Sequence, residues 1–232
     1  MAVRAGSPGP LQLATDVEEI VDLSPVSLIS GQTQSELERV CKELFEAYDG
    51  DRDERGRRHG HGTFKSKRSG SVYTGMYDKD KKHGWGKIEY KCGDIYEGNF
   101  TNNKKNGQGT YSWVINGNHY DGTWKDDFMD GHGIIRWGDG HKYQGSIKMN
   151  QRHGNGTMRY KDGEIYKGEY INNVKCGEGQ IDFPNGDMYR GGFDNNKRYG
   201  LGRIKYSNGN EFIGQWENDS YSGGEYNWDN GD

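Results

Sequence analysis

The histidines and the paired glycines are the residues of this 232-residue chain whose types could support chemistry. Acid–base or nucleophilic catalysis needs a nucleophile, a base and an orienting group that meet in one place. All seven histidines instead occupy recurring positions: before a Gly-x-Gly unit (His59, His83, His153), inside one (His61, His132) or before a tyrosine (His119, His141). This placement predicts a structural role for them. We therefore expect no catalytic residues and a protein that is not an enzyme.

Two other patterns resemble binding motifs but lack the surroundings that binding needs. The Gly-x-Gly units fall between predicted β-strands, without the following helix that a nucleotide-binding fingerprint requires. The three cysteines, Cys41, Cys92 and Cys176, are odd in number and occupy unlike positions. That distribution predicts reduced thiols and disfavours disulfides or a thiolate metal site. We expect neither a cofactor nor a metal.

An acidic run near the start of the periodic region resembles the first half of a calcium loop. Asp49, Asp51 and Asp53 would be the ligands at positions 1, 3 and 5 of an EF-hand. Position 6 is Glu54, where the loop turn needs glycine, and position 12 is Gly60, where a bidentate glutamate belongs. The loop is therefore incomplete, and the sequence disfavours calcium binding.

The elements that must position these residues form a tandem repeat. Tyr-x-Gly recurs in steps of 23 to 25 residues, at Tyr48, Tyr73, Tyr96, Tyr120, Tyr143, Tyr166 and Tyr189, with Phe212 in the eighth position. Gly-x-Gly follows the same step, beginning at Gly60, Gly84, Gly107, Gly131, Gly154, Gly177 and Gly200. An eighth copy begins at Gly223 and has Glu225 in place of the second glycine. Two signals that share one period of this length indicate a repeat array.

Each repeat has the period-two spacing of β-strands. Tyr96, Gly98 and Phe100 alternate with polar residues, and Tyr111 and Trp113 do the same after the next Gly-x-Gly unit. Asn-Asn pairs separate the two strands of a repeat, and Asn-Gly or Asp-Gly links favour turns whose two central residues both have positive φ. We predict one β-hairpin per repeat. The glycine of Tyr-x-Gly would leave room for rings from neighbouring strands to stack across it, and Gly-x-Gly would permit a bend or bulge.

The combined motif, Tyr-x-Gly-x-Phe/Trp, then His-Gly-x-Gly, then Asp/Asn-Gly-x-x-Tyr, resembles the MORN repeat. The resemblance covers residues 48–232 in eight copies, the last incomplete. It implies an all-β repeat array, an elongated, twisted antiparallel β-hairpin meander that serves as a scaffold or adaptor. MORN proteins are found at cytoskeletal structures, in ciliary axonemes including radial spokes, and at membrane junctions. Some MORN arrays resemble regulatory regions that precede the catalytic domain of a lipid kinase or a methyltransferase.

The composition agrees with an array that has a thin core. Only 30% of the residues are hydrophobic, the mean hydropathy is −1.14, and 12% of the residues are aromatic. The apolar area therefore lies in rings at fixed repeat positions. No apolar stretch approaches the roughly 18 residues of a spanning helix, and the first residues do not have the pattern of a signal peptide. We expect a cytoplasmic protein and favour the cytoskeleton or the cilium as its location.

The residues before the array follow a different pattern. Residues 1–31 contain scattered Pro, Ser and Gly and are expected to form a mobile N-terminal segment. Residues 33–48 are predicted to form an amphipathic helix, which Thr33 and Glu36 would start with a capping box. This helix would cap the first hairpin of the array.

Charge is distributed unevenly along the chain. Residues 55–105 hold 13 Lys and Arg against 5 Asp and Glu, although the net charge of the whole chain is −4. The candidate basic patch comprises Arg57, Arg58, Lys65, Lys67, Arg68, Lys81, Lys82, Lys104 and Lys105. Three occupants remain open: the protein's own groups and solvent, an acidic protein, or anionic phospholipid at about 1 kcal/mol per charge.

We favour a non-enzymatic scaffold that binds a segment of a partner protein along an aromatic-lined groove, in a cytoskeletal or axonemal assembly. The candidate anchors are Trp113, Trp124, Trp137 and Tyr160, since aromatic side chains dominate interface energetics. The alternative is a peripheral membrane module that binds acidic phospholipids through the basic patch, as the regulatory part of a longer enzyme. Edge-strand pairing or a homodimer is a further way to associate, and no nucleic-acid partner is expected.

Overall fold

The computed structural model describes Leu11, Leu13 and residues 47–228 of the chain. Regular structure in this part of the chain consists of sixteen β-strands, which fall into two compact units. The first unit, within residues 12–115, contains β1 (Ala47–Arg52), β2 (Arg58–Lys65), β3 (Val72–Asp78), β4 (Lys81–Glu89), β5 (Ile95–Thr101) and β6 (Lys104–Trp113). The second unit, of which Leu11 and residues 116–228 are described, contains β7 (Asn118–Lys125), β8 (Phe128–Arg136), β9 (Lys142–Lys148), β10 (Gln151–Arg159), β11 (Ile165–Ile171), β12 (Val174–Asp182), β13 (Met188–Asp194), β14 (Lys197–Lys205), β15 (Glu211–Glu217) and β16 (Ser220–Asn227).

Within each unit the strands form an antiparallel meander. In the first unit, β1 to β6 pair in chain order. In the second unit, β7 to β16 do the same. These pairings confirm the predicted all-β fold of successive hairpins. Among the described residues, no helix is long and apolar enough to cross a membrane.

The two predicted N-terminal elements lie almost wholly outside the described residues. Of the segment 1–31 only Leu11 and Leu13 are described. Of the helix predicted over 33–48 only the last two residues, Ala47 and Tyr48, are described, and they begin strand β1. The acidic run that follows also belongs to β1 up to Arg52, so Asp49 and Asp51 lie on a strand and not in a calcium loop.

Two kinds of turn alternate along each meander. Inside every hairpin after β1–β2 the two turn residues both have positive φ, as at Asn172 (48°) and Asn173 (72°), the geometry of a type I′ turn that Asn and Asp tolerate. Between hairpins only the glycine has positive φ, for example Gly163 at 96°. The expectation that both residues of Asp162-Gly163 have positive φ is therefore wrong. Hydrogen bonds from Tyr160 N to Glu164 O and from Gly163 N to Tyr160 O close a three-residue loop, which needs only one left-handed residue.

The tyrosine of each Tyr-x-Gly packs directly onto two glycines. The ring of Tyr143 lies over Gly145 of its own strand and over Gly156 on the neighbouring strand, where a Cβ would come within 2.5 Å of Tyr143 Cζ. Its hydroxyl donates a hydrogen bond of 2.7 Å to Ser146 O. The glycine does leave room for a ring, but the expectation that this ring comes from a neighbouring strand is wrong, because the ring beside Gly145 is that of Tyr143 on the same strand.

The Gly-x-Gly units form bulges, as predicted. Between Arg152 and Gly156 the register of β10 against β9 shifts, and Gly154 has a φ of 74°. In the last repeat the bulge is one residue shorter, because Tyr221 pairs with Trp216 while Gly224 pairs with Gly214. Gly224 therefore holds the place of the second glycine. The assignment of that place to Glu225 is wrong, since the sequence pattern did not allow for the shorter bulge.

Candidate functional site

In each unit, the face that carries the Tyr-x-Gly tyrosines, here called the aromatic face, is packed by rings from successive repeats. In the second unit Tyr166 makes edge-to-face contacts with Tyr170 of its own strand at 5.3 Å and with Phe193 of the next repeat at 5.0 Å. Tyr189 repeats the arrangement with Phe193 and Trp216. Such ring pairs contribute about 0.5–1.5 kcal/mol beyond their buried area. Each tyrosine thus joins its own hairpin to the next one.

The four predicted partner anchors lie on this face and are buried. Trp113, Trp124, Trp137 and Tyr160 are 5%, 2%, 9% and 8% exposed, respectively, so they offer almost no surface to a partner. Trp113 contacts the ring of Tyr111, and Trp124 contacts that of Tyr120. A role of these four rings in partner binding stays a prediction. It would require displacement of the groups that now cover them.

A ladder of cations, which the sequence analysis did not recognise, covers the rings. It comprises Arg58, Lys82, Lys105, Arg152, Lys175 and Arg198, and Met129 takes the equivalent position in one repeat. Lys175 Nζ is 4.6 Å from the ring centre of Tyr166, and Arg198 Cζ is 4.1 Å from that of Trp216. Cation–π contacts contribute about 0.5–2 kcal/mol, with the larger values at desolvated sites. The ladder therefore stabilises the array.

Ladder residues are also held by the next hairpin through a two-way clamp. Arg152 N donates a hydrogen bond of 2.9 Å to Asn173 Oδ1, and Asn173 N donates one of 2.9 Å to Arg152 O. The same reciprocal bonds join Lys175 to Asn196 and Arg198 to Asp219. This clamp explains why the second residue of each two-residue turn is Asn or Asp. The signal was present in the sequence as an Asn or Asp 21 or 22 residues after each ladder residue.

The predicted basic patch does not form one surface. Arg58, Lys82 and Lys105 belong to the ladder, and the last two are 5% and 6% exposed. Lys65, Lys67 and Arg68 lie at the loop between β2 and β3. Arg57, Lys81 and Lys104 lie at the opposite ends of the strands, beside the two-residue turns or the loop before β2. Strand β2 alone separates the two edges by about 24 Å at ~3.4 Å per residue.

The histidines and the two described cysteines take up structural or exposed positions, whereas Cys41 lies outside the described residues. His141 is buried, and its Nδ1 accepts a hydrogen bond of 3.3 Å from Lys161 N. Burial lowers the pKa of His119, and the nearby Arg136 lowers it further. Cys92 and Cys176 are free thiols. Within the described residues, no group of three or more His, Cys, Asp or Glu side chains is arranged to hold a metal ion.

One serine–histidine contact has the geometry of a nucleophile and a base. Ser146 Oγ lies 3.2 Å from His132 Nε2 on an exposed part of the sheet. The backbone N and O of His132 both bond to the hydroxyl of Thr123, which fixes the strand geometry at this bulge. A catalytic pair also needs an acid that orients the histidine and donors for an oxyanion. The contacts described for this pair include neither.

In each unit, the face opposite the rings, here called the outer face, carries the central residues of the Gly-x-Gly units. Their identities vary from repeat to repeat, and two are large and apolar: Trp85 is 53% exposed and Leu201 is 63% exposed. In the first unit, Met76 adjoins Gly84, the residue before Trp85. In the second unit, Ile213 lies diagonally across the strand pair from Leu201, at the roughly 7–8 Å typical of such neighbours.

The chain matches a known repeat family and is similar to several solved structures. A model of the MORN repeat matches residues 54–70, 96–117, 120–142, 143–165, 166–188 and 189–211. No curated protein sequence matches the chain. The TCP10c domain of Sas-4 from Drosophila melanogaster is 12% identical, over 78% of this chain and 98% of that domain, with a TM-score of 0.38. The TCP10 domain of Danio rerio CPAP, solved with a peptide of STIL, is 11% identical over 73% of this chain and 84% of that one, with a TM-score of 0.31.

Proposed function

We propose that this chain, which belongs to the MORN-repeat family, is a non-enzymatic scaffold that binds partner proteins through side chains that differ between its repeats. One observation carries the proposal. Positions shared by all repeats are used to pack the array, whereas Trp85 and Leu201 stand exposed at a position that is polar in most other repeats. Exposed tryptophan and leucine are costly to hydrate and favour burial in an interface.

The family supports a cytoskeletal or ciliary assembly as the setting of this scaffold, since MORN proteins occur there. We propose that location for this chain also. Imaging of a tagged chain together with axonemal and centriolar markers tests it, and a diffuse distribution would contradict it.

A capture experiment tests partner binding. The native chain is compared with the double variant Trp85→Ser, Leu201→Ser and with the control Gln108→Ser, Asn155→Ser, which changes the same position in two other repeats. We expect the native chain and the control to retain the same discrete proteins from a lysate and the apolar variant to lose them. Equal capture by all three proteins would contradict the outer-face proposal.

Binding of acidic phospholipids is the second candidate function. Its support is the cluster of Lys67, Arg68 and Lys91 at one edge, where Lys91 packs so closely on Gly70 that a Cβ there would be 3.0 Å from Lys91 Cδ. Flotation with vesicles that contain phosphatidylserine tests it. Flotation that the double change Lys67→Glu, Arg68→Glu abolishes would support a membrane module, and no flotation of the native chain would exclude this cluster as a membrane site.

A further inference from the structure

Two aliphatic side chains project from the loop that follows β6 in the first unit. Val114 is 58% exposed and Ile115 is 87% exposed, the highest value among the exposed large apolar side chains of the described residues. The corresponding residues after β10, β12 and β14 are Lys161-Asp162, Pro184-Asn185 and Ser207-Asn208. The loop of the repeat therefore does not need an aliphatic pair. We call Val114 and Ile115 the apolar tip.

The base of this loop is attached to the preceding loop by hydrogen bonds and packing. Val114 N donates a hydrogen bond of 3.0 Å to Asp94 Oδ1, and the Tyr111 hydroxyl donates one of 3.1 Å to Asp94 Oδ2. Val114 also lies on Gly93, where an added Cβ would be 3.6 Å from Val114 Cβ. These contacts hold the apolar tip in place, so little conformational freedom is lost when it enters another medium.

Basic side chains occupy the two preceding loops at the same edge. Lys67 and Arg68 are exposed in the loop after β2, and Lys91 is exposed in the loop after β4. Lys91 packs on Gly70, where an added Cβ would be 3.0 Å from Lys91 Cδ. The three loops are therefore adjacent, with equivalent positions about 9.6 Å apart, at two strands of ~4.8 Å each. We call the row formed by residues 66–71, 90–94 and 114–115 the loop edge.

The acidic side chains at this edge are turned inward or paired. Asp94 is 7% exposed and accepts the two hydrogen bonds described above. Glu89, at the end of β4, accepts a hydrogen bond of 2.5 Å from Lys87. Lys65, at the end of β2, adds a further exposed cation. Apart from the paired Glu89, the exposed charges at and next to the loop edge of the first unit are therefore basic.

This combination of cations and a projecting apolar tip identifies the occupant of the loop edge. An anionic membrane surface attracts Lys and Arg, and its interface accepts apolar side chains that reach beyond the headgroups. A partner protein would need a cavity for each projecting side chain, whereas a membrane interface needs none. Resting on the phospholipid binding given above as the second candidate function, we propose that the loop edge docks on an anionic membrane surface. The apolar tip inserts between the headgroups, while Lys67, Arg68 and Lys91 contact lipid phosphates.

Flotation of the full chain with phosphatidylcholine vesicles, with and without phosphatidylserine, tests the proposal. The tip variant is Val114→Ser, Ile115→Asn, which introduces the Ser-Asn pair of the loop after β14 and leaves the charge unchanged. The control is Met149→Ser, Ile171→Asn, which removes two exposed apolar side chains from turns of the second unit. Circular dichroism confirms that each variant is folded.

We expect the native chain and the control to float only with vesicles that contain phosphatidylserine. The tip variant should bind these vesicles at least tenfold more weakly, because burial of aliphatic groups adds to the attraction of the cations. Equal flotation of the tip variant and the native chain would overturn the proposal. So would a native chain that does not float but captures a protein that the tip variant loses, because the occupant would then be a protein.

A dye whose emission depends on polarity gives a second readout at the apolar tip. It is attached at Ile115→Cys in a chain that also carries Cys41→Ser, Cys92→Ser and Cys176→Ser. We expect its emission to shift to shorter wavelength with phosphatidylserine vesicles, as the tip enters the interface. Emission unchanged by bound vesicles would contradict insertion.

The outcomes separate this inference from the candidate function on which it rests. If Lys67→Glu, Arg68→Glu abolishes flotation but the tip variant floats like the native chain, phospholipid binding stands and insertion of the tip is wrong. If the native chain does not float at all, both are wrong. The scaffold function is unaffected by either result, because it is tested by protein capture through the outer face.

Discussion

The packing of each tyrosine on two glycines can be tested by adding one methyl group. In Gly156→Ala the new Cβ would lie within 2.5 Å of Tyr143 Cζ and still closer to its Oη. Tyr143 is fully buried, and its hydroxyl is held by Ser146 O at 2.7 Å. The ring must move, because the other contacts of that Cβ position are also ring atoms.

The expected cost follows from two effects. Overpacking of a filled core costs about 1–3 kcal/mol, and loss of the tyrosine hydrogen bond costs about 0.5–1.5 kcal/mol more. Gly156→Ala should therefore lower the free energy of unfolding by about 2–4 kcal/mol, a large part of the 5–15 kcal/mol typical of a domain. At Gly223 an added Cβ has no atom within 4 Å. The control Gly223→Ala should therefore change stability by only about 0.5 kcal/mol or less.

Urea unfolding followed by circular dichroism measures both variants and a double-mutant cycle. In a Tyr143→Ala background, where the ring is absent, Gly156→Ala should cost much less, which gives a coupling energy of at least about 1 kcal/mol. Two results would refute the reasoning. One is a Gly156→Ala variant as stable as Gly223→Ala, and the other is an equal cost with and without the Tyr143 ring.

Three further predictions concern the ladder, the clamp and the buried phenols. Met129→Lys should be tolerated better than Met158→Lys by at least about 2 kcal/mol, because the position of Met129 holds a cation in other repeats; equal destabilisation in urea would count against the ladder. Asn173→Ala should cost about 1–3 kcal/mol more than Asn172→Ala, since both lose a favoured left-handed residue but only Asn173 accepts from Arg152 N; similar midpoints would disprove the clamp. Burial raises the pKa of Tyr143 and of Tyr189 to about 12, above the ordinary 10.0. The folded chain therefore holds these protons more tightly than the unfolded chain does, so the stability they contribute is complete below pH 10 and is lost as the pH rises towards 12. Absorbance at 295 nm should show these phenols ionising only as the fold is lost, and complete ionisation with an intact dichroism spectrum would contradict this.

The sequence predicted those parts of the fold that depend on local spacing. The alternation of Tyr96, Gly98 and Phe100 placed the rings on one face, because successive side chains of a pleated strand point to opposite faces. The Gly-x-Gly units marked the positions of the bulges. The cation ladder has the same 23- to 24-residue period and could have been found. It was missed because Lys82 and Lys105 were counted as members of a charged segment, although each lies six residues before Ile88 or Tyr111 and therefore falls on the same face of its strand.

The candidate site was less predictable than the fold for a physical reason. Spacing shows that Trp113 and Trp137 share a face, but it does not show whether neighbouring repeats cover that face. Burial depends on contacts between successive hairpins, such as those of Lys105 with three rings. The exposed side chains lie at positions where the repeat accepts different residue types, so no periodic pattern in the sequence marks them. They became apparent only when equivalent residues were compared in three dimensions.

Photo-crosslinking tests most directly the claim that shared positions pack the array while variable positions bind partners. A benzophenone amino acid is placed at Trp85 or Leu201 on the outer face, or at Trp113 or Trp137 on the aromatic face, and folding of each protein is checked by circular dichroism. We predict crosslinks to the same partner proteins from positions 85 and 201 and none from positions 113 and 137. Crosslinks confined to positions 113 and 137 would contradict the account and return partner binding to the aromatic groove.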